Sequence, residues 1–349
     1  MITHKERVLR VLRREPIDYL PSNLEFSAPL SLRIAEALQV SPPDLHGIFD
    51  NHIVYAHLSD ENHRSDGIIY DNWGVGIQEQ EGAAIVVHPL ADRNAVSDYR
   101  FPDPHAPGLL VGVENAVRSH GGEYFVAAYQ RWLLFERACW LRGMENFLLD
   151  VVADRSFAEW LLDRITDYQV EVAKRCVRAG VDAGRTGDDW GSQRGMLFSP
   201  GLWRTLIRPR LARIWQVYQD AGLPILHHCC GDLRPVIPDL VDMGLTILHP
   251  VQTVMPRGEV KRAFGNSLVF YGGIDSQGVV PVGTPEQVRQ ETSDCIRTLG
   301  NGGGYIIGLS HTLTSETPLE NVWALWETVQ AERRWAGREA AGEQPSWRE

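Results

Sequence analysis

From Tyr124 onward the chain repeats one unit. A short apolar run ends in a polar or glycine-bearing turn, and an amphipathic segment follows. The apolar runs are Tyr124–Tyr129, Val181–Thr186, Leu223–His228, Leu245–Leu248, Leu268–Tyr271 and Tyr305–Ile307. Helices are predicted over Leu134–Val152, Phe157–Ala179, Pro200–Ala221, Pro235–Met243, Pro285–Leu299 and Pro318–Arg334. Their starts carry capping sequences (Ser156-Phe157-Ala158-Glu159, Ser199-Pro200, Thr284-Pro285-Glu286-Gln287, Thr317-Pro318-Leu319-Glu320), and Gly180, Gly222 and Gly244 close three of them. Such an alternation builds parallel strands, because a parallel pair needs a crossover that a helix supplies. Earlier in the chain, Tyr19–Phe26, Gly67–Tyr70 and Ala83–Val87 also read as extended. With about eight strand candidates, the expected architecture is a (β/α)8 TIM-type barrel with an N-terminal helical and loop extension. One barrel domain is expected over residues 1–335, with residues 1–65 holding the extension and the first strand. Residues 336–349 read as a flexible polar tail.

Barrel enzymes carry their chemistry at the C-terminal ends of the strands. Here those ends hold Glu25, Asp71, Tyr129, Asp188, His228, Cys230, Gln252, Asp275 and His311. The densest stretch is Leu223-Pro-Ile-Leu-His-His-Cys-Cys-Gly231, four soft-metal ligands at the end of one apolar run. Imidazole and thiolate are the groups that bind Zn²⁺ tightly. Side chains alternate along a strand, so His228 and Cys230 share one face, and His227 and Cys229 share the other. Buried cysteines at a strand end also serve as small hydrophobes. His311, at the end of the last strand, is either a third ligand or an acid–base imidazole. Asp188 and Asp189 form a carboxylate pair that either binds substrate and carries a proton or caps a helix. Asp275 follows two glycines and reads either as a proton carrier or as the acceptor of an Asx turn. Gly302-Gly303-Gly304 reads as a tight turn, since no helix start follows it. The sequence lacks the Gly-x-Gly-x-x-Gly, phosphate-loop and Gly-x-Ser-x-Gly motifs.

The net charge of −11, from 34 basic and 45 acidic residues, excludes nucleic acid and anionic membrane as partners. No apolar run reaches membrane-spanning length, and the N-terminus lacks a signal-peptide core. Five cysteines, an odd and sparse set, point to a reducing compartment, the cytoplasm.

Several stretches together resemble the uroporphyrinogen decarboxylase superfamily. They are Lys5-Glu6-Arg7-Val8-Leu9 with Ile17-Asp18-Tyr19-Leu20-Pro21, Asp71-Asn72-Trp73-Gly74, and Gly187-Asp188-Asp189-Trp190-Gly191-Ser192-Gln193. The remainder are His228-Cys229-Cys230-Gly231, Gly272-Gly273-Ile274-Asp275, Gly303-Gly304-Tyr305-Ile306 and Pro318-Leu319-Glu320-Asn321. The resemblance spans most of the chain and implies a (β/α)8 barrel. In the decarboxylases proper, arginines near the N-terminus hold the substrate carboxylates. The corresponding Ser22-Asn23-Leu24-Glu25-Phe26-Ser27 has none and carries a glutamate, so the chain resembles more the cobalamin-dependent methyltransferase branch.

That likeness implies a metal set of His228, Cys230 and His311 for Zn²⁺, with His311 where coenzyme M methyltransferases have a cysteine. It implies methyl transfer between a small methylated or methoxylated substrate and a corrinoid carried by a partner protein. Asp188, Asp275 and His311 are the catalytic candidates, and Glu25, Trp73, Tyr129, Trp190 and Gln252 the substrate-binding ones. Two other readings stay open: a metal-independent decarboxylase or lyase acting on a small carboxylated substrate, and a non-catalytic binding protein on the same scaffold.

Overall fold

The computed structural model describes residues 2–59, 62–78 and 84–334. Ala83 and the tail residues 336–349 lie outside the described residues. Eight parallel strands form one sheet: β1 Ser22–Asn23, β2 Ile53–His57, β3 Phe125–Gln130, β4 Ala183–Gly187, β5 Ile225–His228, β6 Ile247–His249, β7 Val269–Tyr271 and β8 Tyr305–Gly308. From β2 to β8 each strand pairs with the next in chain order, and β8 returns to β1 through Ser22 opposite Ile307. Between β1 and β2 one parallel bridge, Ser22 to Asn51, brings the ring close to closure. The result is a TIM-type α/β barrel with helices around it.

Alternation along the strands sorts the interior into layers. Ile53, Phe125, Ala127, Ala183, Leu226, Ile247, Val269 and Ile306 pack with one another inside the barrel. Val8 and Val11 of the first helix, His4–Arg13, join that cluster and plug its N-terminal end. Thr3 caps this helix, its hydroxyl accepting from Glu6 N–H at 3.0 Å. Two residues further along the same strands the inward positions turn polar: Tyr55, Tyr129, Arg185, His228, His249 and Tyr271. The apolar floor below and the polar layer above place the chemistry at the C-terminal mouth. A larger apolar cluster outside the strands joins sheet to helices and holds Trp203, Trp215, Tyr218 and Phe270.

Several sequence expectations change. The pieces expected over Gly67–Tyr70 and Ala83–Val87 are not barrel strands. Ile68–Tyr70 and Ala84–Val87 pair with His63–Ser65 and Gly76–Gln78 in a separate antiparallel sheet that interrupts the unit between β2 and the helix Val111–His120. The second barrel strand is Ile53–His57, so residues 1–65 hold two barrel strands rather than one. The helix expected over Leu134–Val152 divides at Gly143, whose φ of 84° ends Phe135–Arg142 before Met144–Ala153 begins. The long helix starts at Arg155, capped by Asp154, whose carboxylate accepts from Phe157 N–H at 3.2 Å; Ser156 is not its cap. The segment after Ser199 is two helices, Pro200–Leu206 and Arg208–Asp220. A helix over Arg257–Phe264 precedes β7.

Candidate metal centre and substrate cavity

Strand β5 ends in His227-His228-Cys229-Cys230, and the two pairs face opposite ways. The buried His227 points to the helices, with Nδ1 2.8 Å from the Thr186 hydroxyl and its ring stacked on Trp190 at 4.9 Å. Cys229 is buried beside it, and its sulfur accepts the Trp190 backbone N–H at 3.1 Å. His228 and Cys230 face the mouth, with Nε2 and Sγ 3.6 Å apart. His311, from the loop after β8, closes the group: the ligand atoms of His228, Cys230 and His311 all lie within 4.8 Å of one another.

Zn–S of about 2.3 Å and Zn–N of about 2.0–2.1 Å at a tetrahedral angle put sulfur and nitrogen about 3.5 Å apart. The Cys230–His228 separation already matches this, and two imidazoles with one thiol are a zinc donor set. Burial lowers the His228 imidazole well below its usual range, with the Arg185 charge adding to it, so its nitrogens are in the neutral, ligating form. Burial and the neighbouring Asp189 carboxylate push the Cys230 thiol up.

The loop that carries Cys230 is clamped. Asp189 Oδ1 accepts Cys230 N–H at 2.7 Å, and Gln252 Oε1 accepts Gly231 N–H at 2.7 Å. Gly191 and Gly231 allow the two loops to cross: a Cβ on Gly191 would stand 2.3 Å from the Cys230 carbonyl oxygen, and one on Gly231 2.2 Å from Ser192 N. His228 is oriented by His249, the rings hydrogen-bonded Nδ1 to Nδ1 at 2.9 Å, and His249 stacks on Tyr271 at 4.1 Å. This leaves His228 Nε2 for an ion.

The group opens onto a cavity of about 530 Å³. Its walls are Asn23 at the end of β1 and Glu25 after it, Tyr129 in β3 with Arg131 and Trp132 after it, Glu136 and Trp140 on the following helix, and Asp189 after β4. Glu25 accepts from the hydroxyls of Tyr55 at 3.1 Å and Tyr271 at 2.8 Å. Burial and the adjacent Asp189 and Asp188 carboxylates raise the Glu136 carboxyl well above its usual range.

Of the residues singled out from sequence, His228, Cys230, His311, Glu25 and Tyr129 meet around this cavity or its metal group. Asp188, Asp275, Trp73, Trp190 and Gln252 do not line it. Asp188 is fully buried and accepts from Leu134, Phe135 and Glu136 N–H at 3.3, 2.9 and 2.9 Å and from Trp190 Nε1 at 2.7 Å. It therefore caps the helix Phe135–Arg142, and Asp189 is the member of the pair that faces the cavity. Burial pushes the Asp188 carboxyl up to about 6 against the four bonds that favour its charged form. Asp275 accepts from Gln277, Gly278 and Val279 N–H, each at 3.0 Å, so its carboxylate is spent on the next turn. Trp190 has no exposed surface, and Gln252, 2% exposed, is the clamp described above. Trp73 lies under the small sheet, edge-on to Tyr168 at 4.7 Å, beside a separate cavity of about 470 Å³.

The residues missed from sequence are Arg185, His249, Tyr55, Tyr271 and Glu136. Arg185 had a signal: a charged side chain inside a run that must otherwise be strand marks an inward-facing functional position. His249 had one too, standing at a strand end. Glu136 had none, since it follows a loop whose length the sequence does not register against the barrel.

A second group with ligand atoms within 4.8 Å, His4, Asp50 and His52, sits at the N-terminal end of the barrel. Its atoms are engaged already: His4 bonds Asp50 at 2.7 Å and Glu123 at 2.5 Å, and His52 Nε2 is 3.1 Å from Arg7 Nη1. Among the described residues, no helix is long and apolar enough to cross a membrane.

The chain is similar in sequence to a methylated-thiol–coenzyme M methyltransferase of Methanosarcina mazei, 28% identical over 184 residues, 53% of this chain and 47% of the relative. It is also similar to the methylcobamide:CoM methyltransferase MtaA of Methanosarcina barkeri, 23% identical over 195 residues, 53% of this chain and 55% of the relative. Uroporphyrinogen decarboxylases match too, at 25% or 26% identity. The chain thus spans about half the length of the curated relatives it matches. Among solved structures, a methyltransferase from Methanosarcina mazei superposes with a TM-score of 0.69 at 18% identity, covering 95% of this chain and 99% of that one; at this identity it shows the fold. The uroporphyrinogen decarboxylase (URO-D) family model matches residues 72–332, from the small sheet to the last helix, and the chain belongs to that family.

Proposed function

We propose that this protein is a zinc-assisted methyltransferase. It would exchange a methyl group between a small methylated or methoxylated substrate in the cavity and a corrinoid carried by a partner protein. The observation that carries the reading is the convergence of His228, Cys230 and His311 at the mouth, at a spacing that suits Zn²⁺. The names of the methyltransferase relatives support it. When bound, the metal would supply Lewis acidity, which makes a thiol a better nucleophile or an ether oxygen a better leaving group.

The protein's own residues do the rest. His249 holds His228 in one ring orientation, and the Asp189 and Gln252 bonds hold the Cys230 loop. Tyr129, Trp132 and Trp140 give the cavity aromatic walls for the substrate body. Glu136, its carboxyl raised by burial, would donate a hydrogen bond or a proton to a departing oxygen. A porphyrinogen with many carboxylates is disfavoured, because the N-terminal segment presents Asn23 and Glu25 to the cavity.

One observation favours a second reading. The Glu136–Asp189 pair, in which Asp189 N–H also donates to Glu136 Oε2 at 3.2 Å, resembles an acid–base couple for a metal-independent lyase. Methyl transfer from methoxylated and methylthio donors to free cob(I)alamin separates the two. Turnover that disappears on chelation and returns with zinc is expected. No methyl transfer with any donor, together with carboxylate loss that chelation leaves unchanged, favours the lyase.

A further inference from the structure

Among the described residues six arginines are buried, and five of them sit on carboxylates. Arg7 pairs with Asp18 at 2.7 Å, Arg137 with Asp71 at 2.5 Å, Arg142 with Asp150 at 2.7 Å, Arg210 with Asp163 at 2.8 Å, and Arg333 with Asp50. The sixth is Arg185, 3% exposed, in the middle of β4. Among the described residues, no hydrogen bond or ion pair reaches its guanidinium, and its Nε is buried without a partner. An unpaired buried ion is strongly unfavourable, so such a group persists where a ligand completes it.

Its position fits that purpose. Arg185 shares the inward register of β4 with Ala183 and Gly187 and lines the cavity that also holds His228 and His311. The guanidinium lies over the Tyr129 ring at 4.0 Å and 5.2 Å from the Tyr55 ring. A Cβ placed on Gly187 would stand 3.0 Å from Arg185 Nη1, so glycine there leaves room for the side chain to reach along the strand toward the mouth. Glu25, across the cavity, is occupied by two tyrosine hydroxyls; its carboxylate favours the Arg185 charge from a distance but makes no ion pair with it.

We propose that Arg185 binds a carboxylate of the substrate, which makes the substrate a small methylated or methoxylated acid. A single guanidinium that no carboxylate touches suits a monoanion, and its planar fork matches a carboxylate through two parallel bonds. A dianion such as phosphate would meet Glu25 and Asp189 on the same walls. With its acid end on Arg185, the molecule directs its other end toward His228, Cys230 and His311. The inference rests on the preceding reading only for which end reacts, and its test is a binding measurement that needs neither metal nor corrinoid.

The experiment is titration calorimetry and thermal unfolding with benzoate, 4-methoxybenzoate and 3-(methylthio)propanoate, each against its amide, and with inorganic phosphate. Wild-type protein is expected to bind at least one acid at least ten-fold more tightly than its amide, and phosphate weakly. Arg185→Met is expected to lose that preference and, without ligand, to unfold no earlier than wild type, since it removes an unpaired buried charge. Arg185→Lys is expected to keep part of the preference. Cys230→Ala is expected to keep all of it, which separates this claim from that of methyl transfer. Acids and amides binding alike to the wild type, or tighter binding of phosphate, would overturn the proposal. So would an Arg185→Met protein that unfolds well below the wild type, because Arg185 would then be part of the barrel's own framework.

Discussion

Cys230→Ala is expected to lower methyl transfer by at least about 100-fold while leaving the unfolding temperature close to that of the wild type. Loss of an outer-shell partner costs a metal site roughly 10–100-fold, and loss of a ligand costs no less than the upper end of that range. No neighbouring thiol can replace it. Cys139, Cys176, Cys229 and Cys295 are all buried, and Cys229, next in sequence, points to the helices and takes the Trp190 N–H. Cys230 is only partly buried, so its truncation opens no core cavity. The matched control is Cys229→Ala, expected to keep zinc and activity and to lose some stability through the small void it leaves. Parallel measurement of turnover, zinc and unfolding on the two variants checks the expectation. Equal loss of activity in both would mean that the strand end matters as a packed unit rather than as a ligand pair.

Asp188→Ala is expected to act in the opposite way. It should destabilise the fold by about 3–5 kcal/mol, because buried donors lose their shared acceptor. The substitution orphans three backbone N–H groups at the start of Phe135–Arg142 and the Trp190 indole N–H, and buried donors left unpaired cost about 1–3 kcal/mol each. The helix also loses a negative charge at its N-terminus. Asp188→Asn should be milder, because the amide oxygen still accepts while the amide nitrogen faces donors. Urea unfolding reads the stability, and zinc per folded chain should match the wild type in both variants. A proton carrier in the cavity would give the reverse pattern, an unchanged unfolding curve with turnover lost.

These two aspartate and cysteine cases show what a sequence of this kind conveys. The barrel is legible because five of the six apolar runs from Tyr124 onward are followed by a helical pattern with its own punctuation; the helix Arg257–Phe264 goes unread. The His228/Cys230 pair is legible because strand side chains alternate with a period of two. The choice between Asp188 and Asp189 is not, because β4 ends at Gly187 and the chain turns there, so alternation no longer says which carboxylate faces inward. Strand β2, Ile53–His57, was obscured for a related reason. Its inward positions are Ile53, Tyr55 and His57, polar near the mouth, and no turn glycine precedes it. The more apolar Ile68–Tyr70 and Ala84–Val87 belong to the inserted sheet. Arg185 shows the converse. It interrupts the apolar run Val181–Thr186 because it is part of the cavity, and a site residue breaks the local pattern that its neighbours keep.

The measurement that bears most directly on the proposed zinc site is metal content by elemental mass spectrometry. It would be made on protein purified without added metal, for the wild type and for His228→Ala, Cys230→Ala and His311→Ala. About one zinc per chain in the wild type, lost in each variant, is the expected result. A wild-type protein that holds no zinc and takes up none on soaking would contradict the metal centre and leave His228 and His311 as acid–base or substrate-binding imidazoles.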